Sequence, residues 1–182
     1  MSEGLIGWQA REPWMGAEVL TLADVWPEQP RAMIIGLNPA PASVAAGHYY
    51  QGKVGQVQLR RLADAGLFPA PAGRHFEDVT ISAGVGFTDI VKRPSRGEGD
   101  VGNDEIAYGA KTLGEKLGAR GVPLVVCVFR HPVAALLGSA GTPGLQSRTT
   151  SWGAQVFRMP GPYARRDRVA DTMAELRELL AR

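Results

Sequence analysis

Short apolar runs alternate with amphipathic stretches along most of this chain. Residues 31–37 (RAMIIGL) are almost wholly apolar and stop at the turn signal NPAP, which predicts a buried strand. Residues 52–65 place Val54, Val57, Leu59, Leu62 and Ala65 at helical spacing, with Gly66 as the stop. Residues 85–91 alternate weakly between glycines and Pro94 and read as a strand. Residues 104–120 carry Ile106, Ala110, Leu113 and Leu117 on one face, with Asn103 or Asp104 as N-cap and Gly121 beyond, a good amphipathic helix. Residues 122–129 are the clearest buried strand. Residues 132–137 predict a short helix with Pro132 in its first turn, and residues 155–159 another short strand. Residues 166–181 predict the last helix, with Val169, Met173, Leu176 and Leu180 on one side. Residues 1–16 fit neither period and are expected to form an arm or irregular lid, anchored by Trp8 and Trp14.

Four apolar strands separated by helices imply an α/β fold with a mainly parallel sheet covered on both faces. Ligands in such folds bind at the carboxyl ends of the strands. That rule selects the loops beginning at Asn38, near Val91 and at Met159.

Length and composition narrow the rest. The 182 residues suit a single domain, residues 1–182, and with 45% hydrophobic and 21% charged residues the chain reads as ordinary globular protein. No apolar run of about 18 residues exists to span a membrane, and the N-terminal residues do not read as a secretory signal, so a cytoplasmic protein is expected, nucleoid-associated if bacterial. The lone Cys127 excludes an intrachain disulfide, a four-cysteine cluster and a CxxC zinc site, and His48, His75 and His131 lack metal-ligand spacing. The net charge of +2 permits nucleic-acid binding without arguing for it. Its distribution says more: Arg158, Arg165, Arg166 and Arg168 cluster, as do Lys92, Arg93 and Arg96.

Each selected loop carries chemistry that has an ordinary alternative. Asn38, directly after a strand and before proline, does not titrate, but it can orient a water by accepting its hydrogen bond. That suits cleavage through an oxocarbenium-like state; the alternative is a simple Asn-Pro turn. Gly47, His48, Tyr49 and Tyr50 can form an aromatic wall for a base, or merely pack on the sheet edge. Thr88 and Asp89 are polar residues in an apolar segment, followed by Lys92 and Arg93, which can meet phosphates; local capping is the alternative. The loop from Met159 through Pro160, Gly161, Pro162, Tyr163 and Arg165 to Arg166 is stiffened by two prolines and presents a large side chain, suited to enter a duplex, or else it is only a strand-to-helix connection. P-loop, dinucleotide and nucleophile-elbow motifs are absent.

Taken in order, GLNPAPASVAAGHYY, GVGFTDIVKRP and FRMPGPYAR resemble three motifs of the mismatch-specific uracil and thymine DNA glycosylases, across roughly residues 30–182. The resemblance implies the three-layer α/β/α uracil-glycosylase fold with a four-stranded sheet, DNA as the partner, and a reaction without metal or cofactor; a monomer is expected. It implies that Asn38 positions the hydrolytic water and that Tyr50 stacks on the flipped base, with His48 in the same pocket-forming turn. Backbone near Leu37, Asn38 and Tyr50 would read the base edge. Thr88 and Asp89 match positions near the pocket floor, and Met159, Pro160 and Arg165 match the intercalation loop, where Tyr163 would be the wedge. The departures are Ala40 in place of glycine, residues 53–58 (KVGQVQ) in place of an aromatic stretch, Gly161-Pro162 in place of serines, and Asp89 in place of Asn or Lys.

The expectation is therefore a monofunctional DNA glycosylase that releases uracil or a related deaminated or mismatched base in base-excision repair. No lysine can be assigned as a Schiff-base nucleophile, so no strand cleavage is expected. Two alternatives stand beside it: a degenerate glycosylase fold that binds damaged DNA with little or no cleavage, and an unrelated small nucleotide or sugar hydrolase. The preferred lesion, strandedness, oligomeric state, partner proteins and the role of residues 1–16 stay open.

Overall fold

A computed structural model describes residues 4–182. Four parallel strands carry the molecule: β3 (Ala32–Gly36), β4 (Val85–Asp89), β5 (Leu124–Cys127) and β7 (Gln155–Arg158), in the order β4-β3-β5-β7. A fifth, two-residue strand, β6 (Gly144–Leu145), pairs antiparallel on the outer edge of β7. The sheet thus has five strands where the sequence predicts four. A two-residue strand has no hydrophobic period to detect.

The strands read as continuous apolar runs because both faces are covered. In β3 the pleat sends Ala32 and Ile34 into one core and Met33 and Ile35 into the other. On the first face lie α2 (Lys53–Asp64), with Leu59 and Leu62, and α6 (Arg166–Leu180), with Met173, Leu176 and Leu179. On the second lie α4 (Asn103–Ala119), with Leu113 and Leu117, and α5 (Arg130–Leu137), with Val133 and Leu137. Each of these buried side chains contributes about 2 kcal/mol by leaving water. The result is the three-layer α/β/α sandwich.

Helix boundaries follow local chemistry. α4 is preceded by Gly102, not capped by Asn103 or Asp104; the Glu105 carboxylate turns back to accept the Gly102 N–H at 3.1 Å. α5 starts at Arg130, two residues before the predicted proline-led start. Two short helices escape the periodic reading, α1 (Pro41–Ala46) and α3 (Glu77–Thr80), because six and four residues are too few to show an amphipathic period.

The expected N-terminal arm is regular. β1 (Gln9–Trp14) and β2 (Ala17–Leu22) form an antiparallel hairpin, and the first three residues of that segment lie outside the described residues. Trp14 is buried against the second core and sends its Nε1–H to Glu105 at 3.3 Å. Among the described residues no helix is long and apolar enough to cross a membrane.

The chain enters the sheet at β3, moves outward to β4, then crosses back to β5 on the other side. The loops after β3 and β5 therefore part in opposite directions and leave a crevice at the carboxyl edge.

Candidate active site

A cavity of about 440 Å³ opens in this crevice. Its floor comes from strand ends: Asp89 ends β4 opposite Gly36 in the β3–β4 register, Leu37 and Asn38 follow β3, and Phe129 follows β5. Its walls come from Ser43, Tyr49 and Tyr50 on one side and from the loop 95–98 on the other. Leu22, the last residue of the hairpin, closes the back.

Asn38 has a fixed orientation. Its Nδ2 donates to the Arg93 carbonyl at 3.0 Å and to the Ser95 hydroxyl at 2.8 Å. A carbonyl can only accept, so the NH2 group must point that way. The Ser95 hydroxyl spends its own proton on the Gly97 carbonyl at 3.1 Å and meets Asn38 with a lone pair. The Asn38 carboxamide oxygen has no partner among the described residues and remains an acceptor at the cavity wall.

Tyr50 holds a left-handed backbone at φ 56°, which costs a side-chain-bearing residue of the order of 1–3 kcal/mol. The surroundings enforce it: Gln56 Nε2 donates to the Tyr50 carbonyl at 2.9 Å, and Gly55 packs so close that a Cβ there would lie 3.0 Å from the Tyr50 Cα. The Tyr50 ring leans on Phe87 at 5.9 Å, and Phe87 in turn stacks on Tyr49 at 5.1 Å. The Tyr50 hydroxyl is buried with no hydrogen-bond partner among the described residues. It and the Asp89 carboxyl both crowd Gly36. A Cβ at Gly36 would collide with Asp89 Oδ1 and stand 3.0 Å from the Tyr50 hydroxyl, so this position requires glycine.

Asp89 is 5% exposed, and among the described residues no donor hydrogen-bonds its carboxyl. Burial raises its pKa to about 7; the Lys92 ammonium opposes the rise and Asp24 adds to it. A partly buried ionic knot lies just behind. The Asp24 carboxylate takes Lys92 Nζ on one oxygen and Lys116 Nζ on the other, each at 2.6 Å, and Thr88 Oγ1 donates to it at 2.6 Å. Burial alone would push the Asp24 pKa up, but the two ammonium groups outweigh it and hold it below its usual value.

The expected site residues divide accordingly. Leu37, Asn38, Tyr50 and Asp89 meet around the cavity. His48 does not reach it: its imidazole lies 3.3 Å from Glu77 Oε2 and stacks on His75 at 3.5 Å. Thr88 is turned away into the Asp24 knot, and Met159 is buried in the first core. Lys92 is not free for a phosphate, since it serves Asp24 and the Leu22 carbonyl. Arg93 is likewise engaged, by Glu105 at 2.7 and 2.8 Å and by the Asp100 carbonyl. That pairing depresses the Glu105 pKa to about 2.

The loop of Pro160, Gly161, Pro162 and Tyr163 stands beside the cavity, outside its lining. It is braced from α2: Gln58 Nε2 donates to the Pro160 carbonyl at 2.9 Å, and Arg61 reaches the Gly161 and Pro162 carbonyls. The residues that depart from the aromatic stretch thus open α2, and Gln58 ties it to the loop. Tyr163 at the tip is 89% exposed. Arg165 is exposed and pairs with its neighbour Asp167, and Arg166 is exposed at the start of α6.

Sequence reasoning missed Ser43, Lys53, Ser95, Glu98 and Phe129 around the cavity. Lys53 is the lysine among the lining residues, exposed at the first turn of α2. The contribution of Ser95 was signalled only by its place in a loop at the carboxyl edge. Residues 23–180, most of the chain, match the family model of the uracil DNA glycosylase superfamily.

Proposed function

Because the chain belongs to the uracil DNA glycosylase superfamily, we propose that it is a monofunctional DNA glycosylase. It hydrolyses the N-glycosidic bond of uracil, or of a related deaminated or mismatched base, as a step of base-excision repair. The observation that carries this reading is the oriented Asn38 amide, held by Arg93 and Ser95 with its oxygen left over at the wall of a base-sized cavity.

The parts assemble as follows. The exposed Tyr163 enters the duplex on a loop braced by Gln58 and Arg61, and the target nucleotide turns out into the cavity. Phosphate contacts fall to the exposed Lys53, Arg165 and Arg166, since Lys92 and Arg93 are spent internally. The extruded base lies against Tyr50. Asp89 with a pKa of about 7 presents, as a neutral acid, one donor and one acceptor side by side. That pair matches the adjacent N–H and C=O of a lactam edge, the edge that deamination creates in uracil. As the glycosidic bond stretches, hydrogen bonds to the departing base hold its developing negative charge. The Asn38 oxygen accepts a hydrogen bond from the attacking water beneath the anomeric carbon.

The test is base release from a labelled duplex with one uracil opposite guanine, compared with Asn38→Ala. The expected result is alkali-sensitive nicking by the native protein and a rate lower by about 10² or more in the variant, the size of loss seen when a transition-state contact is deleted. Nicking before alkali would overturn the monofunctional assignment and point to Lys53. Tight binding of the uracil duplex with no base release would favour the binding-protein alternative.

A further inference from the structure

The turn that carries Tyr50 is gripped from two sides. On one side the N-terminal segment lies across it: the Trp8 N–H donates to the Gly47 carbonyl at 2.7 Å, and Gln9 Nε2 donates to the Val44 carbonyl at 2.7 Å. The two backbones approach so closely that a Cβ at Gly47 would lie 2.5 Å from the Ile6 carbonyl oxygen. On the other side stands Glu77, the first residue of α3, which lines no part of the cavity.

Glu77 is 1% exposed. A carboxyl is not buried to that extent without partners, because losing its hydration has to be offset by hydrogen bonds. Both of its partners belong to the turn. Oε1 accepts the buried Tyr49 N–H at 2.6 Å, and Oε2 lies 3.3 Å from His48 Nδ1. The His48 ring stacks on His75, 9° from parallel. Two adjacent oxygens on one side chain thus hold two successive residues immediately before Tyr50.

Tyr50 needs this support, because its left-handed backbone is one that a tyrosine abandons when released. Ser43 and Gln56 secure the residues that follow: Gln51 N–H donates to Ser43 Oγ at 3.0 Å, and Gln56 holds the Tyr50 carbonyl. Nothing else among the described residues accepts the Tyr49 N–H. We propose that Glu77 is a positioning residue: through the Tyr49 amide and the His48 imidazole it fixes residues 47–50 so that the Tyr50 ring stands where the extruded base must lie. This rests on the glycosylase reading above for its consequence, and on the turn geometry alone for its cause.

The experiment compares native protein with Glu77→Ala and Glu77→Gln by three measurements: single-turnover uracil release at saturating protein, duplex Kd, and amide hydrogen exchange of the free protein. Glutamine keeps an oxygen for the Tyr49 N–H and an NH2 group for His48. The expected result for Glu77→Ala is at least a tenfold slower release with Kd within twofold, and at least tenfold faster exchange at residues 48–51, with β3 still protected. Glu77→Gln should recover release and exchange to within threefold of native. Alanine releasing uracil within twofold of native would overturn the proposal, as would glutamine failing in step with alanine. If the native protein releases no base, the glycosylase reading falls by itself. Exchange then decides the clamp: unchanged protection of residues 48–51 in Glu77→Ala overturns it, and faster exchange confined to that turn sustains it.

Discussion

Asp89→Asn tests the electrostatics of the cavity floor without changing its shape. In the unfolded chain Asp89 titrates near its ordinary 3.8; in the folded protein burial raises this to about 7, against the pull of Lys92. Between these values the native state keeps a proton that the unfolded state has lost. Folding stability is therefore complete below about 3.8, falls as pH rises towards 7, and is level above it. At about 1.4 kcal/mol per pH unit, the whole cost is roughly 4 kcal/mol, of which about half accrues between pH 5 and pH 7. Asparagine is neutral throughout and carries none of it. Urea unfolding of both proteins at pH 5, 6, 7 and 8 should show the advantage of the variant growing by about 2 kcal/mol from pH 5 to pH 7 and changing little above pH 8. A growth under about 0.5 kcal/mol would mean that Asp89 is ionised in the native protein at its ordinary pKa, and the argument for a neutral acid at the cavity floor would fail. The same group should mark activity. Single-turnover release of uracil by the native protein should decline as pH rises through 7, and this limb should be missing in Asp89→Asn.

Three further outcomes follow from other contacts. Asp24→Asn leaves Lys92 and Lys116 in the interior without their carboxylate, and equilibrium unfolding at pH 7 should register a loss of about 3–5 kcal/mol. Because the Asp24 pKa is lowered in the fold, its contribution is fully present above about 3.8 and is lost as pH falls further, so the difference between variant and native should shrink in acid. Tyr163→Ala should weaken engagement of a uracil duplex and slow base release about tenfold or more, while leaving thermal stability within about 0.5 kcal/mol because the side chain is 89% exposed; a change in the melting temperature with unaltered release would refute the wedge role. Ser95→Ala removes one of two acceptors that orient Asn38 and should lower the rate of release less than Asn38→Ala does, with duplex Kd unchanged, measured in the same single-turnover assay.

Much of the architecture was legible from the pattern of apolar residues alone. The runs at 31–37, 85–91, 122–129 and 155–159 are mostly apolar because each strand is covered on both faces, and the helices between them carry one apolar stripe each. From that alternation the parallel sheet and its carboxyl edge follow, and with them the placement of Asn38 and Asp89. The hairpin of residues 9–22 stayed hidden, because burial along its strands does not alternate with a period of two and the tip turns through Met15 and Gly16 at positive φ with no standard hairpin dipeptide. Which side chains share the cavity was decided only by tertiary packing. A basic residue in sequence says nothing of its partner: Lys92 and Arg93 look free for phosphate, yet the fold sets Asp24 and Glu105 against them. Likewise His48 and Tyr50 are two residues apart, but the left-handed turn sends one ring to Glu77 and the other to the cavity. Local sequence determined the elements because their periods are short-range properties of the chain. The site was decided by contacts across 28 to 102 residues, such as Glu77 with Tyr49 and Gln58 with Pro160, which exist only once the sheet has brought its loops to one edge.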